Sequence, residues 1–195
     1  LESNDRSKTA DLKLGTISID YYEDLFSPSI TAKMRVVNTG DSIAAEGEKE
    51  RQSLYNGLPL RGGERLSMKI LDHGKTGAGE DKKGLDFTDP DRNLIVSSIT
   101  DVISESQRES FMLNLVSREA ISNETTRVFK KYSAKISTSV ETIVKDVLAT
   151  ETDRYEVDDT SNDYQFIGNL RKPFTILIWL ASKSVLDKSG DTTAG

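Results

Sequence analysis

Apolar residues recur at two different spacings in this sequence, and the change falls near Arg118. Before that point they alternate with polar residues, the period of a strand with one buried face. After it they stand three and four residues apart, the period of a helix. The pattern predicts a mainly β chain of the α+β class, with a strand-rich part followed by a helix-containing one.

Residues 12–20 alternate, but the apolar face changes side near Gly15, where a β-bulge is the simplest cause. Residues 21–27 read as a short crossing segment stopped by Pro28. Ile30, Ala32, Met34 and Val36 then line one face of a second strand, which ends at the turn signal Asn38-Thr39-Gly40-Asp41. An acidic excursion over 41–52 leads to Leu54-Tyr55-Asn56-Gly57-Leu58-Pro59-Leu60-Arg61-Gly62-Gly63-Glu64. Further strands are expected over 65–71, with Leu66, Met68 and Ile70 on one face, over 93–104, and over 110–117, with Phe111, Leu113 and Leu115 aligned. Glycine-rich residues 74–84 read as a loop. Five or six strands separated by turns predict a small barrel or sandwich.

Beyond Arg118, Thr138 with Glu141 three residues later has the form of a capping box. Val140, Ile143, Val144, Val147 and Leu148 follow at helical spacing, which predicts an amphipathic helix over 139–149. Residues 146–163 hold seven acidic residues against one arginine and read as a solvated connection. A second helix is expected to start at Pro173, which suits a first helical position. Its stripe is Phe174, Leu177, Ile178, Ala181 and Val185, widened by Ile176, Trp179 and Leu180, so burial on more than one side is expected. The division predicted is a disordered or tag-like 1–10, a barrel over 11–118 and a partial α/β second domain over 119–195. The absent initial methionine and the small polar residues 189–195 suggest a piece of a longer polypeptide.

Composition narrows the chemistry. A formal net charge of −6 and a pI near 5.0 argue against a general electrostatic grip on nucleic acid. No run approaches the ~20 apolar residues that span a bilayer, so no membrane segment is expected. There is no cysteine, and the one histidine is His73. His73-Gly74-Lys75-Thr76 looks like the end of a phosphate-binding loop, but such a loop needs a glycine where Lys69 stands, so a hairpin tip is the better reading. Asp86, Asp89 and Asp91 invite a calcium site; Pro90 interrupts them and no glycine follows, which favours a turn. Asn123-Glu124-Thr125 fits a glycosylation sequon, a tripeptide common by chance. Glu46, Glu48 and Glu50 share a polar run where nothing would raise a carboxyl pKa, and no serine sits in a nucleophile elbow. The chain is therefore expected to have no catalytic residues, no metal and no cofactor, and not to be an enzyme.

Leu54, Tyr55, Leu58 and Leu60 stand in surroundings rich in glycine and charge. Either the segment folds back to cap the barrel, or these four residues form a subunit interface.

The order of elements resembles a known family. Leu58-Pro59-Leu60-Arg61-Gly62-Gly63-Glu64 followed by a strand is similar to the early barrel of contractile-tail hub proteins, which include the T-even-type phage baseplate central hub and the spike proteins of type VI secretion. Arg127-Val128-Phe129-Lys130-Lys131-Tyr132-Ser133, then Ile136, then the run from Val140 to Leu148, resembles the strand that leads into a helix there. Phe166-Ile167 with Leu170-Arg171 and the helix from Phe174 resemble the next such step. Lys183 and Ser184 stand where the family's helix carries acidic residues, and the inserts 41–52 and 74–84 depart from its compact pattern.

The resemblance implies a tube-type barrel whose copies form a ring in a homotrimer, adapting a tail tube protein to a central spike protein. It implies a virion tail location after synthesis in the bacterial host cytoplasm. It also implies a channel through which DNA passes without specific binding, and an acidic lining would suit that passage. Two other readings stay open: a β-barrel module binding a glycan or peptide, and a tail-associated component that hydrolyses cell walls.

Overall fold

The computed structural model describes residues 1–39, 54–58, 60–71, 84–105 and 108–187. The chain divides into two compact units, Leu1–Arg118 and Glu119–Gly195.

The first unit is built on antiparallel strands. β1 (Thr16–Tyr22) and β2 (Thr31–Thr39) form a hairpin, and a four-residue helix, α1 (Leu54–Gly57), follows the undescribed excursion. Then come β3 (Arg65–Leu66), β4 (Met68–Leu71), β5 (Gly84–Phe87), β6 (Leu94–Glu105) and β7 (Arg108–Val116). Five of these make one sheet in the order β1-β2-β7-β6-β3, while β4 and β5 pair separately. β2 shows why alternation was decisive: Ala32, Met34 and Val36 turn into the core and meet Leu115, Leu113 and Phe111 of β7 as register partners. Leu66, Leu94, Val96 and Phe87 complete the same cluster.

Among the described residues the sheet is not closed into the expected barrel. β3 pairs with β6 over two residues only, and the chain then turns away into the β4–β5 pair. The other side of β3 is occupied by the N-terminal segment: the Glu2 N–H donates to the Arg65 carbonyl at 2.9 Å and the Arg65 N–H to the Glu2 carbonyl at 3.0 Å. Among the described strands β1 pairs with β2 alone. The contacts of Glu2 correct the reading of 1–10 as a disordered or tag-like end, since Ser3 and Ala10 are buried and Glu2 bridges to Thr9. That segment lacks strand periodicity because it is held by isolated bridges and turns. The register irregularity of β1 lies between Thr16 and Ser18, just after Gly15.

The second unit begins with the body of α2 (Arg118–Thr125) and continues through β8 (Lys131–Lys135), α3 (Ile136–Asp146), β9 (Asp163–Ile167) and α4 (Pro173–Ala181). β8 and β9 pair antiparallel. Val128, Tyr132, Ile136, Ile143, Phe166, Ile176 and Leu180 form its core. The Tyr132 and Phe166 rings stack at 4.8 Å with 7° between their planes, and Trp179 meets Phe166 edge-on at 5.6 Å.

Two helix expectations need correction. α3 begins at Ile136, directly after β8, so Thr138 lies inside the helix and no side-chain cap bond forms at its start. Its first free N–H groups are instead satisfied from outside: Ile136 donates to the Asn162 carbonyl at 3.2 Å and Ser137 to the Thr160 hydroxyl at 3.0 Å. α4 starts at Pro173 but stops at Ala181, and its buried side is Pro173, Ile176 and Leu180, leaving Ile178 exposed. So apolar a helix gives its pattern little contrast, and the direction of burial was not fixed by spacing. The N–H of Phe174 donates to the Asn123 side-chain oxygen at 2.9 Å, so the half of the sequon that mattered is a buried helix cap.

Candidate functional site

Of the four residues expected at a subunit interface, Leu54, Leu58 and Leu60 are 1%, 0% and 3% exposed, and Tyr55 packs against the same core. Within the chain their apolar surface is turned to the core. α1 brings Leu54 and Leu58 inward together, and the Tyr55 ring lies 6.2 Å from that of Phe111. The Tyr55 N–H donates to the Glu109 carboxylate at 3.3 Å, and the Lys8 ammonium donates to the Gly57 carbonyl at 2.9 Å. Glycine and charge nearby suggested a surface, but they serve the backbone: buried Glu64 accepts N–H bonds from Arg61 at 2.6 Å and Gly62 at 2.9 Å.

The candidate surface lies instead at the two edges of the first unit's sheet. β1 forms one edge, pairing with β2 on one side only among the described strands. The other is the distal part of β6, which among the described residues β3 and the turn before it cover only from Leu94 to Val96. Large apolar side chains collect at both. Ile17 and Tyr22 stand exposed on β1, and Leu14 precedes it. Leu25 and Phe26, 93% and 90% exposed, follow in a turn fixed by the Asp24 carboxylate accepting the Phe26 N–H at 2.9 Å. Val102 and Ile103 stand exposed on β6.

The two edges differ in shape. β6 carries register shifts between Val96 and Ser98 and between Thr100 and Ile103, with Asp101 at φ +52. Such irregularities twist an edge and limit unwanted pairing. Asp101 reaches Arg35 of β2 at 3.5 Å. β1 is regular from Ser18 to Tyr22. Its surroundings are acidic, with Asp20, Glu23 and Asp24 in sequence around it. Burial, then a hydrogen bond to Glu23, push the Tyr21 hydroxyl up to about 12, so it stays a donor at neutral pH.

The structure does not bring the aspartates weighed for calcium into one site. Asp86 pairs with Lys69 at 2.8 Å, and the Lys69 hydrogen bond holds its carboxyl well below the usual range. Asp91 pairs with Arg118 at 2.8 Å, and Asp89 accepts the Asp91 N–H at 3.0 Å. Among the described residues no group of three or more His, Asp or Glu could hold a metal ion, and no helix is long and apolar enough to cross a membrane. His73, Lys75, Thr76, Glu46, Glu48 and Glu50 lie outside the described residues. The exposed edge residues were passed over in sequence because Ile17 and Val102 carry the same alternation as buried strand residues. Only the sheet order shows that they face outward at an edge.

No family model matches the sequence, and no curated protein does. A similar solved structure is that of the E. coli c3393 protein, described as a component of the type VI secretion system with structural similarity to the T4 bacteriophage tail proteins gp27 and gp5. It is 12% identical, with a TM-score of 0.48, and the likeness covers 91% of this chain and 41% of that one. The chain thus spans less than half the length of that neighbour.

Proposed function

We propose that this chain is a structural component of a contractile-tail baseplate, of the central hub type, and that it acts by assembly and not by catalysis. The observation that carries the reading is the unclosed sheet of the first unit, whose two edges both expose large apolar side chains. A free edge offers unpaired N–H and carbonyl groups to another strand, and natural proteins seldom leave one both regular and apolar unless something covers it. Docking the β1 edge of one copy against the exposed apolar side chains of the next copy's β6, Val102 and Ile103, makes a head-to-tail contact, which closes into a ring when the rotation per copy allows. Three copies give the homotrimer that the hub resemblance implies. The strand-to-helix steps of the second unit, β8 into α3 and β9 followed by α4, agree with the element order on which that resemblance rests.

In this reading the ring sits between the tail tube protein and the spike protein, in the tail of a virion, and encloses a channel through which DNA passes. The net charge of −6 supports passage without retention, because like charge repels phosphates. Electron microscopy of the purified chain tests the proposal. Closed rings with threefold averages are expected, and a field of single particles of monomer size at micromolar concentration would count against it.

A further inference from the structure

Positive charge gathers in one cleft of this acidic chain. A cleft of about 100 Å³ in the first unit is lined by Arg6, Arg65 and Arg118, together with Pro90, Asp91, Asn93 and Ile95. The three arginines come from distant parts of the sequence. Arg65 lies in β3, the last strand of the sheet. Arg6 is brought to it by the N-terminal segment, where Glu2 bridges to both Thr9 and Arg65. Arg118 follows the end of β7 and is held by Asp91 at 2.8 Å.

The tip carrying Arg6 is fixed in place. Asp5 accepts bonds from the Ser3 and Ser7 hydroxyls at 2.6 and 2.7 Å and from the Ser7 N–H at 3.0 Å, while the Arg6 N–H donates to the Ser3 carbonyl at 2.9 Å. Arg6 itself has φ +59, a left-handed conformation that costs a non-glycine residue free energy.

The guanidinium groups of Arg6 and Arg65 have no hydrogen-bond or ion-pair partner among the described residues, and the single lining carboxylate, Asp91, is taken by Arg118. Three arginines against one aspartate give the lining residues a formal charge of +2. Structural arginines are ordinarily paired as Arg118 is. Two unpaired arginines lining one concavity repel each other, and an anion bound there offsets that repulsion. We infer that this cleft binds a phosphate group in its doubly charged form, held by Arg6 and Arg65 and flanked by Arg118. The cleft has room for several waters or for one group of phosphate size, and it is too small for a nucleotide. Planar guanidinium forks suit phosphate oxygens better than a point charge does. This inference does not depend on the assembly reading, since every residue involved lies within one chain's first unit.

The test is an NMR titration of the full chain with inorganic phosphate at pH 7.5, following backbone amides and arginine side-chain resonances. Saturable 1:1 shifts centred on Arg6, Arg65 and Arg118 are expected. Arg65→Gln and Arg6→Gln should each weaken binding at least tenfold, while Arg92→Gln, an exposed neighbour outside the lining, should leave it within twofold. Arg65→Lys, which keeps the charge and loses the fork, should fall between. Both β3–N-terminal backbone bonds survive the Arg65 substitutions, and unchanged amide spectra outside the cleft confirm that the variants fold. Acetate, a monoanion, should bind at least tenfold more weakly than phosphate. Non-saturating shifts, equal shifts in wild type and Arg65→Gln, or acetate binding as strong as phosphate would each overturn the inference.

Discussion

Asn38 donates its side-chain amide to the Glu109 carboxylate at 3.1 Å, across the register pair that joins β2 to β7. Both side chains are almost fully buried, and the carboxylate also receives the Tyr55 N–H of α1. One buried acid therefore ties the sheet to the segment that covers it. Replacing Glu109 by Ala leaves two buried donors without this acceptor and is expected to destabilise the protein by about 2–4 kcal/mol. Glu109→Gln retains an acceptor oxygen and should cost less. Urea denaturation followed by far-UV circular dichroism measures both.

The turn before β3 depends on two glycines. Gly62 and Gly63 have φ of +101 and +92, and a Cβ on Gly63 would meet the Asn4 side chain at 3.0 Å. Glu64 holds the turn through its bonds to the Arg61 and Gly62 N–H groups. Gly63→Ala is expected to cost about 1–3 kcal/mol through backbone strain, and the denaturation midpoint should fall accordingly.

Trp179 is the chain's one tryptophan, so its fluorescence reports the second unit alone. Phe166 is sandwiched between the Tyr132 ring and the edge-on Trp179 indole. Phe166→Ala should remove about 3–5 kcal/mol from that unit, seen as an earlier fluorescence transition in denaturant. Phe166→Leu keeps most of the volume, loses the stacking, and should cost about 1–2 kcal/mol.

Acid should loosen the N-terminal turn in a defined window. Hydrogen bonds from the Ser3 and Ser7 hydroxyls and the Ser7 N–H lower the Asp5 carboxyl from 3.8 to about 2. A depressed folded-state value means that the contribution is fully present above 3.8 and is lost as pH falls through about 2. The Ser3 and Ser7 amide resonances should therefore titrate together near pH 2, and Asp5→Asn should abolish that titration.

Strand alternation was the most legible feature of this chain. Ala32, Met34, Val36, Phe111, Leu113 and Leu115 were assigned to core faces by spacing alone, because a half-buried strand writes its orientation into every second residue. The strand order was not legible: Glu2 takes the free side of Arg65 through backbone atoms, which leave no pattern in side chains. Leu54, Leu58 and Leu60 were ambiguous for the opposite reason: their neighbours Gly62 and Glu64 look like surface residues, yet Glu64 is fully buried. The arginines of the cleft are scattered from residue 6 to residue 118, so only the folded sheet brings them together. In the second unit, the helix start misplaced at a capping box shows the same limit. The N–H groups of α3 are satisfied by Thr160 and Asn162, more than twenty residues away.

The most direct test of assembly through sheet edges is sedimentation equilibrium on the wild-type chain beside Ile17→Lys and Ile103→Lys. Both side chains are more than half exposed, so neither substitution should disturb the fold. The account predicts a trimer for the wild type, and a shift to monomer for each variant with unchanged circular dichroism. A wild type that stays monomeric well above micromolar concentration, or a trimer indifferent to both lysines, would contradict it.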